Sequence, residues 1–172
     1  MKVPLTKQLQ CRMQLFWNLS DTFGCECTQS TKSRIIVGKV SNHKMKDYKK
    51  YFIVPAPPED VYLALTHPNT LHLWTGEEAI MSTEPGSEFS LWDGSIVGRN
   101  LEFEPGKKLV QQWYFGDQPE DSIVTIKLHT DTNGTSVELR HTNIPDEAYD
   151  DIVEGWNETY FGALIDFYEE ED

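Results

Sequence analysis

From residue 46 onward apolar side chains recur with two spacings: every second residue through the middle of the chain, and every third or fourth residue near its end. The first spacing marks strands with one buried face, the second a helix with one apolar stripe. Residues 47–54 read as a strand stopped by Pro55, and Pro57-Pro58-Glu59-Asp60 reads as a helix start, with proline at the first positions and acids in the first turn. The helix that follows offers Val61, Tyr62 and Leu65 to a core and stops before Pro68, and a second short helical turn spans 69–74. Six strand-like runs come next, at 77–83, 88–92, 96–104, 109–115, 122–130 and 135–142, separated by Glu84-Pro85-Gly86, Asp93-Gly94, Glu104-Pro105-Gly106, the turn at 116–119 and Asp131-Thr132-Asn133-Gly134. Connections this short join antiparallel neighbours, and the alternation at Val124, Ile126, Leu128 and at Val137, Leu139 leaves one sheet face buried and the other wet.

The last segment reads as one helix from Pro145 to about Tyr168, with Ala148, Tyr149, Ile152, Val153, Trp156, Tyr160, Ala163, Leu164 and Phe167 at helical spacing. At about 1.5 Å per residue it is on the order of 33 Å long, enough to cross a sheet. Phe161, Ile165 and Tyr168 fall on its opposite face, where dimerisation or cover by the C-terminal tail accounts for exposed aromatics. Gly155 and Gly162 lie on one flank of the stripe although each costs about 1 kcal/mol of helix propensity. Either sheet side chains pack against that flank, or the glycines open room beside Trp156 for a bound molecule. The order of elements predicts an α+β fold: a curved antiparallel sheet of about seven strands wrapped around the C-terminal helix, two short helices after the first strand, and a pocket where sheet and helix do not fill the concavity.

Charge narrows the partners. Residues 1–44 carry seven Lys/Arg against two acids, whereas 45–172 carry eight against twenty-six, a balance of −18 within a chain of −13. A field of that sign disfavours nucleic acid and anionic membrane surfaces as partners of the main domain. Cys11, Cys25 and Cys27 all precede it, so the domain at 45–172 has no internal disulfide, as expected of a reducing, cytoplasmic setting. No run of residues is long and apolar enough for a membrane-spanning helix. Residues 1–44 lack periodicity and read as a disordered leader or an over-extended start, Met45 opening a segment that resembles an ordinary protein start.

Several stretches together carry a resemblance. Val54-Pro55-Ala56-Pro57-Pro58-Glu59-Asp60-Val61-Tyr62 with Leu65-Thr66, then Trp74, Gly94-Ser95-Ile96-Val97-Gly98, the run from Glu104-Pro105-Gly106 through Leu109 to Gln111-Gln112-Trp113, and Gly155-Trp156 before Tyr160-Phe161 resemble the AHSA-type branch of the SRPBCC (START-like) superfamily, named for the activator of the heat-shock protein 90 ATPase. The resemblance covers about residues 46–168. It implies a helix-grip fold with a cavity between sheet and C-terminal helix, with Trp74, Trp92, Trp113, Tyr149, Trp156 and Tyr160 as wall residues.

The leading expectation is a non-catalytic binding module for a small apolar or amphipathic ligand, using aromatic walls for area and a few polar groups for orientation. Arg99 shares strand parity with Val97, Leu101 and Phe103, and Gln111 with Leu109, Trp113 and Phe115; pointing inward, either would anchor a ligand carboxylate or carbonyl. The alternative is a cochaperone-like stimulator of a heat-shock protein 90 ATPase, or another protein-interaction regulator, as monomer or homodimer. A cyclase-like enzyme is a third reading, with few residues to support it: His67, His72, His129 and His141 do not cluster, the domain has no cysteine nucleophile, and no motif calls for a metal or cofactor.

Overall fold

Alternating burial along the first strand places Phe52 and Val54 inward and Tyr51 and Ile53 outward, and Pro55 ends it. The computed structural model describes residues 44–116 and 120–169; the expected disordered leader, the three cysteines and part of the 116–119 turn lie outside the described residues. Strand β1 (Met45–Val54) leads into helix α1 (Pro58–Thr66), whose proline start and first-turn Glu59 and Asp60 match the sequence signal and which buries Val61, Tyr62 and Leu65. Helix α2 (Pro68–Thr75) follows at once and ends at Gly76 in the left-handed conformation. Then come β2 (Glu88–Leu91), β3 (Ile96–Glu104), β4 (Lys108–Trp113), β5 (Ser122–Asp131) and β6 (Gly134–Pro145).

The sheet has six antiparallel strands in the order β1-β6-β5-β4-β3-β2, so the first and last strands in sequence pair while the middle runs as a meander. The expected strand at 77–83 makes only one isolated bridge, Ile80 to Ser90. Its Ser82 carbonyl is drawn elsewhere, accepting from the Asn100 side-chain amide (3.0 Å), and just beyond it the Gly86 N–H donates to Asn100 O and the Asn100 N–H to Ser87 O. With those groups used, and with β2 only four residues long, no ladder forms.

A second difference concerns β3. The pairing register with β4 shifts between Asn100 and Glu102, so one extra residue sits on β3 and the inward set changes parity. Asn100 is fully buried, Phe103 is partly buried, and Leu101 is 38% exposed. Arg99, expected to point inward on the parity of Leu101 and Phe103, is exposed.

The C-terminal segment follows a helical path but changes winding. A 3₁₀ turn at Asp146–Ala148 leads to α3 (Tyr149–Glu154), a π-helical stretch at Gly155–Tyr160, and α4 (Phe161–Glu169). In the π-turn the Phe161 N–H reaches back five residues to Trp156 O, which inserts one residue and rotates everything after it by about 100°. That re-phasing explains why Phe161, expected on the outer face, is fully buried and stacked on Phe52 at 4.3 Å between ring centroids. Ile165 and Tyr168 are half-buried, and the Tyr168 hydroxyl donates to Asp60 O on α1 (3.1 Å).

The glycines also resolve differently from either expectation. A Cβ on Gly155 would meet nothing within 4 Å, whereas one on Gly162 would lie 2.9 Å from the Asn157 carbonyl oxygen. The close approach at Gly162 is therefore the helix's own widened turn. Asn157 holds that turn from the side, donating from Nδ2 to Val153 O while its Oδ1 accepts from the Tyr48 hydroxyl (3.2 Å) and from Lys50 Nζ of β1.

Candidate functional site

Five of the expected wall residues come together. Trp113 lies 4.7 Å from Trp156, Trp156 4.7 Å from Tyr160, Tyr160 5.3 Å from Trp74 and 5.5 Å from Trp92, and Trp74 5.7 Å from Trp92, as ring-centroid distances. These are contact distances for aromatic pairs: the rings lie against one another rather than facing across a gap. All five are buried, and burial pushes the Tyr160 phenol pKa up. Three indole N–H groups have protein acceptors: Trp74 donates to Ala64 O (2.9 Å), Trp156 to His141 Nδ1 (3.1 Å) and Trp113 to Gln111 Oε1 (3.4 Å). Tyr149 stands apart near the start of the helix, half-buried, with Lys46 Nζ 4.6 Å from its ring centre. Gly155 faces open space and Arg99 lies on the outer side of the sheet.

Two buried polar clusters brace the aromatic core. Gln111 points inward as its strand parity predicts, and is 1% exposed; its amide donates to Asn100 Oδ1 (2.9 Å), and Asn100 in turn donates to Ser82 O and to Ser87 Oγ. Gln111 thus ties β4 to β3 and to the segment before β2. The second cluster, which the sequence reading passed over, joins Ser122 and His141, 2.8 Å apart between Oγ and Nε2, both fully buried. The signal was present: His141 continues the inward parity of Val137 and Leu139.

This Ser–His pair is a structural one. An indole N–H can only donate, so Nδ1 of His141 accepts from Trp156, the ring is neutral, and Nε2–H faces Ser122. In a nucleophilic pair the imidazole must present a lone pair to the hydroxyl, and here it presents a proton. Desolvation lowers the His141 pKa from 6.5 to about 3. With both side chains sealed from solvent, no substrate reaches Ser122 Oγ.

A cleft does open at the surface, away from the C-terminal helix. It has a volume of about 640 Å³ and lies between α1, the junction of α1 with α2, the 81–85 segment and the β3–β4 hairpin, with Tyr62, Leu63, Met81, Pro85, Phe103 and Pro105 among its walls. Leu63 is 49% exposed there. Polar groups are few, from Thr66, His67, Ser82 and Thr83, and the Thr66 hydroxyl already donates to Tyr62 O. Among the described residues no three His, Cys, Asp or Glu side chains gather as a metal site, and no helix is long and apolar enough to cross a membrane.

This arrangement, a six-stranded antiparallel sheet gripping a C-terminal helix through an aromatic core, can be set beside known proteins. The family model described as Activator of Hsp90 ATPase homolog 1-like protein matches residues 55–166. The chain belongs to this family. Among curated relatives of this activator family, an activator of 90 kDa heat shock protein ATPase homolog from Dictyostelium discoideum is 35% identical over 102 residues, covering 58% of this chain and 27% of the relative. An activator homolog 2 from Mus musculus is 25% identical over 71 residues, covering 41% of this chain and 22% of the relative. The chain thus spans about a quarter of the length of the curated relatives it matches. Among solved structures, an HSP90 activator from Plasmodium falciparum superposes with a TM-score of 0.64 at 26% identity, covering 70% of this chain and 94% of that one. A protein from Mesorhizobium loti gives 0.64 at 22% identity, covering 74% and 99%, and an Aha1 dimer from Colwellia psychrerythraea gives 0.61 at 23% identity, covering 73% and 97%. These last two speak to the helix-grip fold that the activator family shares.

Proposed function

We propose that this domain works by protein contact, as a cochaperone-like stimulator of a heat-shock protein 90 ATPase, and carries out no chemistry of its own. The observation that carries this reading is the use of the interior: in a member of a family described by chaperone activation, the aromatic side chains that would line a ligand cavity close on one another. The sealed Ser122–His141 pair supports the non-catalytic part of the reading. What remains to act is the surface. The test is inhibitor-sensitive ATP hydrolysis by a purified heat-shock protein 90 with and without the full chain, alongside direct binding by calorimetry. Stimulation with measurable binding is expected; absence of both would overturn the reading.

A small apolar or amphipathic ligand is the second reading, and the surface cleft favours it, since about 640 Å³ lies in the range of small-molecule sites. Native and denaturing mass spectra of the freshly purified chain distinguish the two. A noncovalent mass that is lost on unfolding, and lost also when Leu63→Asp places a charge at the cleft, would support this second reading; a bare native mass would remove it.

A further inference from the structure

The surface cleft holds a polar group that the protein leaves unsatisfied. Three of its walls, Tyr62, Thr66 and Met81, are more than nine-tenths buried. The Thr66 hydroxyl is committed to Tyr62 O (2.7 Å), and Met81 Sδ lies 3.6 Å from the Asn100 amide nitrogen. The Tyr62 hydroxyl has no hydrogen-bond partner among the described residues, yet it is not sealed from solvent as the orphaned Ser95 Oγ is. Such a phenol can donate one hydrogen bond and accept another, and burial pushes its pKa up, which keeps the proton in place. Two of the walls are tied to the core: Asn100 Nδ2 holds the 81–85 segment through Ser82 O (3.0 Å), and Trp74 Nε1 holds α2 to Ala64 O of α1 (2.9 Å). The cleft therefore needs little reorganisation to receive a ligand. Charge is absent from it, since none of the eleven lining residues is Asp, Glu, Lys or Arg. Next to them along the chain stand the exposed acids Glu84, Glu102 and Glu104, and the nearest cations in sequence, Lys107 and Lys108, are bridged to Glu104 (3.1 Å) and Glu102 (2.6 Å). An ion of either sign would be desolvated against Tyr62, Met81 and Phe103 with no counter-charge in the walls.

From this we infer that the cleft binds an uncharged, ring-bearing molecule that sets one hydrogen-bonding group on the Tyr62 hydroxyl and lays its apolar body along Met81, Phe103 and the three prolines of the walls. An aromatic ring, proline faces and a polarizable thioether suit a planar ring system, and the unsatisfied phenol fixes which end of it enters. The net negative charge of the whole domain weighs further against an anion. The inference rests on the small-ligand reading of the cleft and adds to it the class of molecule and the group that orients it.

The probes are a matched pair: N-phenyl-1-naphthylamine, which is neutral and carries one N–H, and 8-anilinonaphthalene-1-sulfonate, the same rings with a sulfonate added. Each is titrated by fluorescence against the full chain. The neutral probe is expected to bind at about one per chain and at least about tenfold more tightly than the sulfonate. Tyr62→Phe, which removes only the free hydroxyl, should weaken it about three- to tenfold. Leu63→Asp should weaken it by at least about tenfold, whereas Leu73→Asp, which adds the same charge at a 67% exposed position of α2 outside the cleft, should change it less than about twofold. Thermal melts show whether each variant folds. If the neutral probe does not bind, or if Leu73→Asp loses as much as Leu63→Asp, the inference and the small-ligand reading of the cleft fall together. If both probes bind equally and both are lost in Leu63→Asp, the reading stands and the uncharged class is overturned; if Tyr62→Phe binds as wild type does, the orienting hydroxyl is overturned.

Discussion

Acidification should destabilise the folded chain chiefly through one buried imidazole, by an amount that follows from how His141 is held. The ring is fully buried, and desolvation drops its pKa from 6.5 to about 3. Trp156 occupies Nδ1 as a donor and Ser122 meets the Nε2 proton, so a second proton would have to break the indole bond and set a charge among aromatic rings. The unfolded chain takes up that proton near pH 6.5 and the folded chain refuses it, so between these two values the unfolded state binds more protons. This contribution is complete above pH 6.5 and is lost as pH falls toward about 3, at up to about 1.4 kcal/mol per pH unit. Falling from pH 6.5 to about 4.5 should cost about 2.5 kcal/mol. The carboxyls of Asp146 and Glu138, held below their usual range by bonds to Lys46 and Lys49, also lose their pairing at low pH, so the comparison needs a variant. His141→Gln keeps an acceptor for the indole and removes the titrating ring. Urea unfolding followed by tryptophan fluorescence at about pH 7.5, 6.0 and 4.5 gives both pH profiles. The variant should begin about 1–3 kcal/mol less stable, because Ser122 Oγ loses the imidazole N–H and is left with its own bond to Thr142 O, and should fall by about 2.5 kcal/mol less over the acidic range. Parallel profiles for wild type and variant would refute the reasoning.

Three further outcomes can be read from thermal or urea unfolding. Gly155→Ala should stabilise by up to about 1 kcal/mol, since the site is helical and open, whereas Gly162→Ala should destabilise by about 1–3 kcal/mol because its Cβ would meet the Asn157 carbonyl; equal gains at both sites would remove the π-turn from the explanation. Gln111→Leu should cost about 2–4 kcal/mol by leaving Asn100 Oδ1 and the Trp113 indole without partners, while Arg99→Ala stays within about 0.5 kcal/mol; the reverse order would mean that Arg99 is the inward residue. Phe161→Ala should cost about 3–5 kcal/mol, as for a core ring, and a change under about 0.5 kcal/mol would return Phe161 to the outer face.

Where local chemistry decides an element, the sequence was enough. Proline and acids fixed the start of α1, Pro-Gly and Asn-Gly turns fixed the hairpins, and strict alternation fixed the inward sets of β5 and β6. The inward place of Gln111 followed from the same periodicities, whereas the set Trp74, Trp92, Trp113, Tyr149, Trp156 and Tyr160 came from the family resemblance, and all of it but Tyr149 gathers around one helix. What periodicity left open is whether those rings face a space or one another. That depends on side-chain volume against sheet curvature, which no spacing along the chain encodes.

Two of the misplaced side chains share one physical cause, a single extra residue that shifts the phase of a repeat. On β3 the irregularity between Asn100 and Glu102 turns Arg99 outward and Asn100 inward, although Phe103 keeps the parity from which Arg99 was read. In the C-terminal helix the π-turn at Gly155–Tyr160 brings Phe161 into the core beside Trp156. Both insertions carry a polar signature, an asparagine with its amide engaged across elements: Asn100 to Ser82 and Gln111, Asn157 to Val153, Tyr48 and Lys50. A backbone that leaves its regular ladder frees donors and acceptors that burial makes costly, and a short amide side chain can satisfy both kinds at once. An asparagine inside a run that otherwise alternates or repeats cleanly is therefore the place to expect the phase to slip, and the parity on its two sides should be read separately.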